Sequence, residues 1–316
     1  MSDKTILNVL GKYGLDNACF FKLNTRSYNE HYEVRDGKNK YCLRCNRKPL
    51  SYNNLFFEYE VINYLRLYYN NVIPHIILTK DNKICCIDGD VFYTLFEWID
   101  YGPKIINQNY GAADIANAAY MLADMHSNLK NFTPSVNRDD AYVYMSVDNW
   151  HDKFSYIISE VISPRLKYGD LLMKYSKKVE ELISDLDVSK LEYGVNHGDY
   201  KPCNILFDKS LIGIKAIFDF DCSHKNYLLN DIVCAILSFG KMDRIPTFDI
   251  RVADKIIDSY NSRNALSNCA IKSIKTFICW KLVKDVVVFY DFNPFWWDEI
   301  HFVVDRIIND IEEWSI

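Results

Sequence analysis

Two acids and an amide stand within one short stretch of the second half of this chain. His197-Gly198-Asp199-Tyr200-Lys201-Pro202-Cys203-Asn204-Ile205-Leu206-Phe207 is followed by Ile214-Lys215-Ala216-Ile217-Phe218-Asp219-Phe220-Asp221. The apolar runs read as short strands that a tight turn over Ser210 to Gly213 can pair, which leaves Asp199, Asn204 and Asp219 at strand ends. Hard cations take oxygen ligands, and Mg²⁺ is typically held by one or two carboxylates together with substrate phosphates. Asn204 and Asp219 could hold such an ion, leaving Asp199 free to accept a proton from an attacking hydroxyl. Singly, Asn204 also reads as a turn residue and Asp219 as a strand-end cap.

The elements that must position them change character along the chain. Phe20-Phe21-Lys22-Leu23, Tyr32-Glu33-Val34 and Lys40 to Cys45 read as strands, with a polar stretch over Asn24 to Glu30 and a hairpin turn at Arg35 to Asn39. Leu55, Tyr59 and Ile62 fall at helical spacing behind the capping candidates Ser51 and Asn53, so a helix is expected from Ser51 to Tyr69, stopped by Pro74. Strands resume around Ile76 to Leu78, Ile84 to Ile87 and Val91 to Phe96. Beyond Tyr101-Gly102-Pro103 the chain turns helical, starting with Ala112 to Leu129, apart from the Val195 to Phe220 block.

The composition is that of an ordinary globular protein. The chain has 316 residues, 37 basic against 42 acidic, and 49% hydrophobic residues. That length needs no metal or disulfide staple, and it excludes a fibre or a cysteine-knot scaffold. Lys and Arg form no run that could track a phosphate backbone, so no nucleic-acid partner is expected. Asp3, Lys4, Lys12 and Asp16 interrupt the start, and no segment has the length of a membrane span, so the expectation is a cytoplasmic protein without a membrane partner. The ten scattered cysteines fit buried thiols in a reducing compartment. Cys42 and Cys45 form a single C-x-x-C pair whose residues would point to opposite faces of a strand.

The spacing H-G-D-x-x-x-x-N, followed by an apolar strand ending in D-F-D, resembles the aminoglycoside phosphotransferase and choline kinase superfamily, small-molecule relatives of the protein kinases. Tyr41-Cys42-Leu43-Arg44 is similar to that family's third strand, Phe57 to Ile62 to its first-lobe helix, and Leu122-Ala123-Asp124-Met125-His126 to the helix ahead of its catalytic loop. Asn131-Phe132-Thr133-Pro134 leans toward the spore-coat-associated branch. The resemblance spans about Phe20 to Gly240. It implies an α+β, protein-kinase-like two-lobed fold, with a small antiparallel-sheet N-lobe over residues 1–96, a hinge at 97–103 and a larger, mainly helical C-lobe over 104–316.

It also implies an activity: transfer of the γ-phosphoryl group of ATP or GTP, with Mg²⁺, to a hydroxyl of a small molecule such as an aminoglycoside, sugar or amino alcohol, by a monomer or homodimer. Asp199 would orient or deprotonate the acceptor, and Asn204 and Asp219 would bind magnesium. Arg44 would pair with the phosphates and with Glu60, a carboxylate set on one helix line with Phe56 and Tyr64. Glu97 and Ile99 would offer backbone groups to the base. Asp231 would brace the catalytic loop from a helix N-terminus. Two departures stand out. Arg44 replaces the usual lysine, keeping the charge with a wider fork. The phosphate-covering loop Asn24 to Glu30 has no glycine, so Ser27 and Asn29 would have to replace backbone donors.

Other residues divide between roles. His197 reads as a structural pin of the loop, His126 as a satisfied core histidine and Cys203 as an inert thiol. Asp221 serves equally as a second metal ligand or an exposed acid. The cluster Tyr290 to Glu299 could line an acceptor pocket or pack between terminal helices. The reading from another class is a pseudokinase, a coat-associated structural protein that binds nucleotide without transferring phosphate. The arrangement of Asp199, Asn204 and Asp219 argues against it, because a scaffold has no need of such like charges.

Overall fold

Ser2 opens a helix that the sequence reading left unassigned: its side chain accepts the Thr5 N–H, and α1 runs over Asp3–Lys12. In the computed structural model the described residues are 2–25, 29–46, 51–100, 110–138, 146–150, 169–208, 213–240, 248–289 and 297–316. The chain divides into two compact units. One comprises Met1–Lys104, Phe132–Asp139 and Lys215–Asp221, and the other Ile105–Asn131, Asp140–Ile214 and Cys222–Ile316.

The first unit is built on an antiparallel sheet of β1 (Cys19–Leu23), β2 (Glu30–Asp36), β3 (Asn39–Asn46), β4 (Ile76–Ile77), β5 (Cys86–Asp88) and β6 (Val91–Glu97). Its order is β1-β2-β3-β6-β4, with β5 also on β6. The β2–β3 turn falls where Asp36-Gly37 predicts it, and Gly37 takes the positive φ of 59° that such turns demand. Alternation puts Tyr32, Val34, Leu43, Cys45, Tyr93 and Leu95 on one face, where Ile6, Val9 and Leu10 of α1 close over them. Helix α2 (Tyr52–Tyr69) begins at Ser51, whose side chain takes the Asn54 N–H at 3.2 Å. It ends at Asn70, four residues before Pro74, so the proline sits in the following loop rather than cutting the helix.

In the second unit, helices α3 (Ala112–Leu129), α4 (Gly169–Ser184), α5 (Leu229–Phe239), α6 (Ile250–Asn261), α7 (Asn268–Phe289) and α8 (Trp297–Glu313) make most of the mass. Helix α3 packs on α6, and α5 on α7. Ile232, Val233 and Ile236 of α5 lie fully buried, as do Ile274, Phe277 and Ile278 of α7. A pairing absent from the sequence reading joins β7 (Tyr193–Asn196) to β10 (His224–Tyr227), with Asn196 opposite His224. The strands expected after the loop are β8 (Ile205–Asp208) and β9 (Gly213–Ile217). All ten cysteines are free thiols. Among the described residues no helix is long and apolar enough to cross a membrane.

Candidate active site

In the first unit the site is organised by Arg44. Its Nη1 and Nη2 donate to Glu58 Oε1 and Oε2 at 2.8 and 2.6 Å, and both side chains are buried. This corrects the expected pairing with Glu60. Residues two apart on a helix point about 200° apart, so only one of the two acids can face the strand. Glu60, half-buried, instead accepts the Ser135 N–H at 3.0 Å. Burial pulls the Arg44 pKa down, but Glu58 and the nearby Asp221 and Asp219 outweigh it and hold the guanidinium above its ordinary value. Strand register sets His31 and Thr94 on either side of Arg44. Arg44 Nε and Thr94 Oγ1 are buried without a hydrogen-bond partner among the described residues. An arginine with a spare donor beside a hydroxyl is a donor set that suits a phosphate oxygen.

Asp219 opens this unit's D-F-D run in the left-handed region, with φ at 66°. A non-glycine residue held there is strained, and such strain is kept where a side chain must be aimed. Asn29 donates its Nδ2 to Asp221 Oδ2 at 3.3 Å, and Arg138 donates to the Asp221 carbonyl. Asn29 thus faces the acid of the run, while Ser27 lies outside the described residues. Glu97 ends β6: its N–H donates to the His75 carbonyl at 2.8 Å, and its carboxylate accepts the His75 N–H at 3.2 Å. Glu97, Trp98, Lys40, Arg66 and His75 line a polar cavity of about 440 Å³. Ile99 lies two residues past the strand.

The second unit holds the loop from His197 to Asn204. Asp231, in the first turn of α5, accepts the His197 N–H at 2.6 Å and the Gly198 N–H at 2.9 Å. Its Oδ2 also lies 3.1 Å from Nε2 of His126, whose Nδ1 lies 2.9 Å from the Tyr260 hydroxyl. Burial alone would raise the Asp231 pKa; His126, His197 and the loop N–H groups outweigh it and hold the carboxyl below its usual range. Gly198 has φ at 84°, and a Cβ there would stand 2.0 Å from the Cys222 carbonyl oxygen, so only glycine fits. Buried Tyr200 fastens the loop to α3 by donating to the Ala118 carbonyl at 2.8 Å. His197 Nδ1 accepts the Asp199 N–H at 3.3 Å, which is the work of a pin.

At the end of this loop Asn204 turns its Nδ2 onto Asp199, 2.9 Å from the carbonyl and 3.1 Å from Oδ2. That orientation leaves the amide oxygen as an acceptor, and the Cys203 thiol donates to it at 3.5 Å. An amide oxygen at Asn204 and a carboxylate at Asp219 are hard donors of the kind magnesium takes, so both residues fit the ion the sequence implies. Lys201, which the sequence reading passed over, places Nζ 2.5 Å from Asp199 Oδ2. Burial opposes its charge, but Asp199 and Cys203 raise its pKa overall. The signal was its place two residues after the acid, inside the motif itself.

The phosphotransferase enzyme family matches this chain over residues 23–265. The chain belongs to that family. As a member it is a small-molecule kinase by class, and its α+β fold is the kinase-like fold of phosphotransferases. Among solved structures it is similar to the amicoumacin kinase hAmiN in complex with AMP-PNP, Ca²⁺ and Ami: 16% identity over 99% of this chain and 94% of that one, TM-score 0.72. It is similar too to the microcompartment-associated aminopropanol kinase, with 18% identity over 91% of this chain and 88% of that one, TM-score 0.69. An aminoglycoside phosphotransferase from Alicyclobacillus acidocaldarius subsp. acidocaldarius DSM 446 shares 16% identity over 97% of this chain and 95% of that one, TM-score 0.66. No curated protein sequence matches.

Two further features of this phosphotransferase bear on the sequence reading. Cys203 is exposed rather than packed, because the short 3₁₀ turn Pro202–Asn204 turns it outward. Residues 290–296 of the C-terminal aromatic cluster lie outside the described residues.

Proposed function

We propose that this phosphotransferase moves the γ-phosphoryl group of ATP or GTP, with Mg²⁺, onto a hydroxyl of a small molecule. The observation that carries the reading is the Asp199–Lys201–Asn204 cluster on a loop held rigidly by Asp231. A carboxylate, a cation and an amide are gathered there at 2.5 to 3.1 Å. Support comes also from the amicoumacin kinase, whose structure holds AMP-PNP and Ca²⁺.

Asp199 accepts the hydroxyl proton as the new O–P bond forms and the bond from the γ-phosphorus to the bridging oxygen breaks, releasing the nucleoside diphosphate. Lys201 swings from Asp199 toward the charge that builds on the transferring group. Arg44, steadied by Glu58, offers its remaining donor to the nucleotide phosphates. Asn29, and with it Ser27, takes the covering role of the glycine-free loop, and backbone groups of Glu97 and Ile99 meet the base. Asn204 and Asp219 supply the oxygen ligands, and the ion bound there would neutralise phosphate charge. Glu60 has a positioning role only, through Ser135.

Aminoglycosides, sugars and amino alcohols share little beyond the hydroxyl. The ten free thiols suit a cytoplasmic setting. The test is nucleotide turnover with and without magnesium across a panel of hydroxyl acceptors. Transfer, or slow hydrolysis to water, that needs magnesium supports the reading. Nucleotide binding with no turnover under any condition would instead favour the pseudokinase.

A further inference from the structure

Helix α7 carries a group of charges that the transfer chemistry leaves unexplained. Lys281, Lys284 and Asp285 are three and four residues apart, which puts them on one helix face. Lys281 Nζ lies 3.0 Å from Asp285 Oδ2, and Lys284 Nζ lies 3.8 Å from Asp285 Oδ1. The two lysine side chains are only 12% and 11% exposed. The Lys284 ammonium also stands 4.9 Å from the centre of the Trp280 ring.

Helix α5, on which α7 packs, also packs against the Pro202–Asn204 turn of the catalytic loop. Lys281 lies within electrostatic reach of Asp199, and both lysines lie near the buried, neutral thiol of Cys234 on α5. Lys201 pairs with Asp199 directly and Lys281 lies within its electrostatic reach, with Lys284 one helical turn further along. Asp285 balances only one of the two ammonium groups, and burying the other in a helix interface costs stability that leucine or methionine would have spared. Buried charges of this kind, next to the reacting group, are the mark of a site. Their sign selects the ligand. A polycationic acceptor brought to Asp199 would meet like charges, whereas an oxyanion would be drawn in and oriented.

We propose that the acceptor of this kinase is a hydroxyl compound bearing a carboxylate or phosphate, and that Lys281 and Lys284 receive that anionic group. The proposal rests on the phosphotransferase reading and narrows it. The bonds made and broken at phosphorus are those given above. The anion sets the orientation of the hydroxyl against Asp199, and burial together with Lys281 holds the Lys284 pKa down to about 8, which an arriving anion would raise.

The test offers the enzyme, with ATP and magnesium, matched acceptors that differ in one group: 3-hydroxypropanoate, propane-1,3-diol and 3-aminopropan-1-ol, then the phosphate-bearing glycerol 3-phosphate against glycerol, with kanamycin as the polycation. The expected result is kcat/KM at least about 100-fold higher for anionic members than for their neutral and cationic partners. Carboxylate and phosphate arms distinguish the two sources of negative charge. Lys281→Met and Lys284→Met should each reduce that preference at least about tenfold, and Lys284→Arg should restore much of it.

Equal or better use of the neutral, amino or aminoglycoside members overturns the proposal, as does an unchanged preference in both methionine variants. If none is phosphorylated while nucleotide hydrolysis persists, calorimetric titration of 3-hydroxypropanoate and glycerol 3-phosphate into the AMP-PNP complex decides. Binding that Lys284→Met weakens sustains the proposal, and absence of binding ends it while leaving the kinase reading intact. Loss of all nucleotide turnover would count against the kinase reading itself.

Discussion

Arg44 and Glu58 meet in a two-pronged ion pair, at 2.8 and 2.6 Å, with the guanidinium and the carboxylate both sealed from solvent. Removing one partner of such a pair strands the other charge, which costs about 3–5 kcal/mol. Glu58→Gln should therefore lower unfolding stability by that amount and loosen nucleotide binding, since Arg44 loses its fixed direction. Glu60→Gln keeps an oxygen for the Ser135 N–H and should stay within about 0.5 kcal/mol of the parent. Urea midpoints of the two variants separate the assignments, and equal losses would contradict them.

The choice between those two acids shows what the sequence could and could not reveal. Elements with local signals were legible: the Gly37 hairpin, the Ser51 cap, the helix from Ala112 to Leu129, and the loop whose Asp199 and Asn204 do meet. Glu58 was missed because α2 has apolar or aromatic residues on most of its circumference, so helical spacing alone does not reveal which acid faces β3. Non-local pairings were harder still. The β7–β10 ladder joins short strands some thirty residues apart, and nothing in Tyr193–Asn196 announces its partner. Lys281 and Lys284 have no motif; only the packing of α7 on α5 brings them near the loop.

His31 should make stability depend on pH. Burial and the cross-strand charge of Arg44 push its pKa down to about 4 from 6.5, so the folded chain holds it neutral where the unfolded chain binds a proton. Between those values the unfolded state binds more protons, so stability falls as pH drops from 6.5 toward 4 and is regained above 6.5. The contribution is at most about 3 kcal/mol, less whatever solvent screens. Urea midpoints across pH 7.5 to 4 should slope less in His31→Gln than in the parent. Identical slopes would remove His31 from the explanation.

Gly198 is where the loop tolerates no side chain, with φ at 84° and the Cys222 carbonyl 2.0 Å from any Cβ. In Gly198→Ala the loop must shift away from Cys222, and a displacement of about 1 Å at a reacting group costs on the order of 100-fold in turnover. Steady-state kinetics should show that fall in kcat with nucleotide KM changing far less. Parent-like turnover would mean that the loop's position is not set here.

Asp219→Ala should abolish the part of nucleotide affinity that depends on magnesium, because Asn204 alone leaves too few protein ligands to hold the ion. Titrating AMP-PNP with and without excess magnesium measures it. A variant that still gains affinity from magnesium as the parent does would exclude Asp219 as a ligand.

The central claim is that Asp199 takes the proton of the acceptor hydroxyl, and the direct measurement is the turnover of Asp199→Asn beside its nucleotide affinity. The account predicts a fall of about 10² to 10⁴-fold in kcat, roughly 3 to 5 kcal/mol of barrier, with the affinity for AMP-PNP and magnesium largely kept. Turnover within a few-fold of the parent would contradict it.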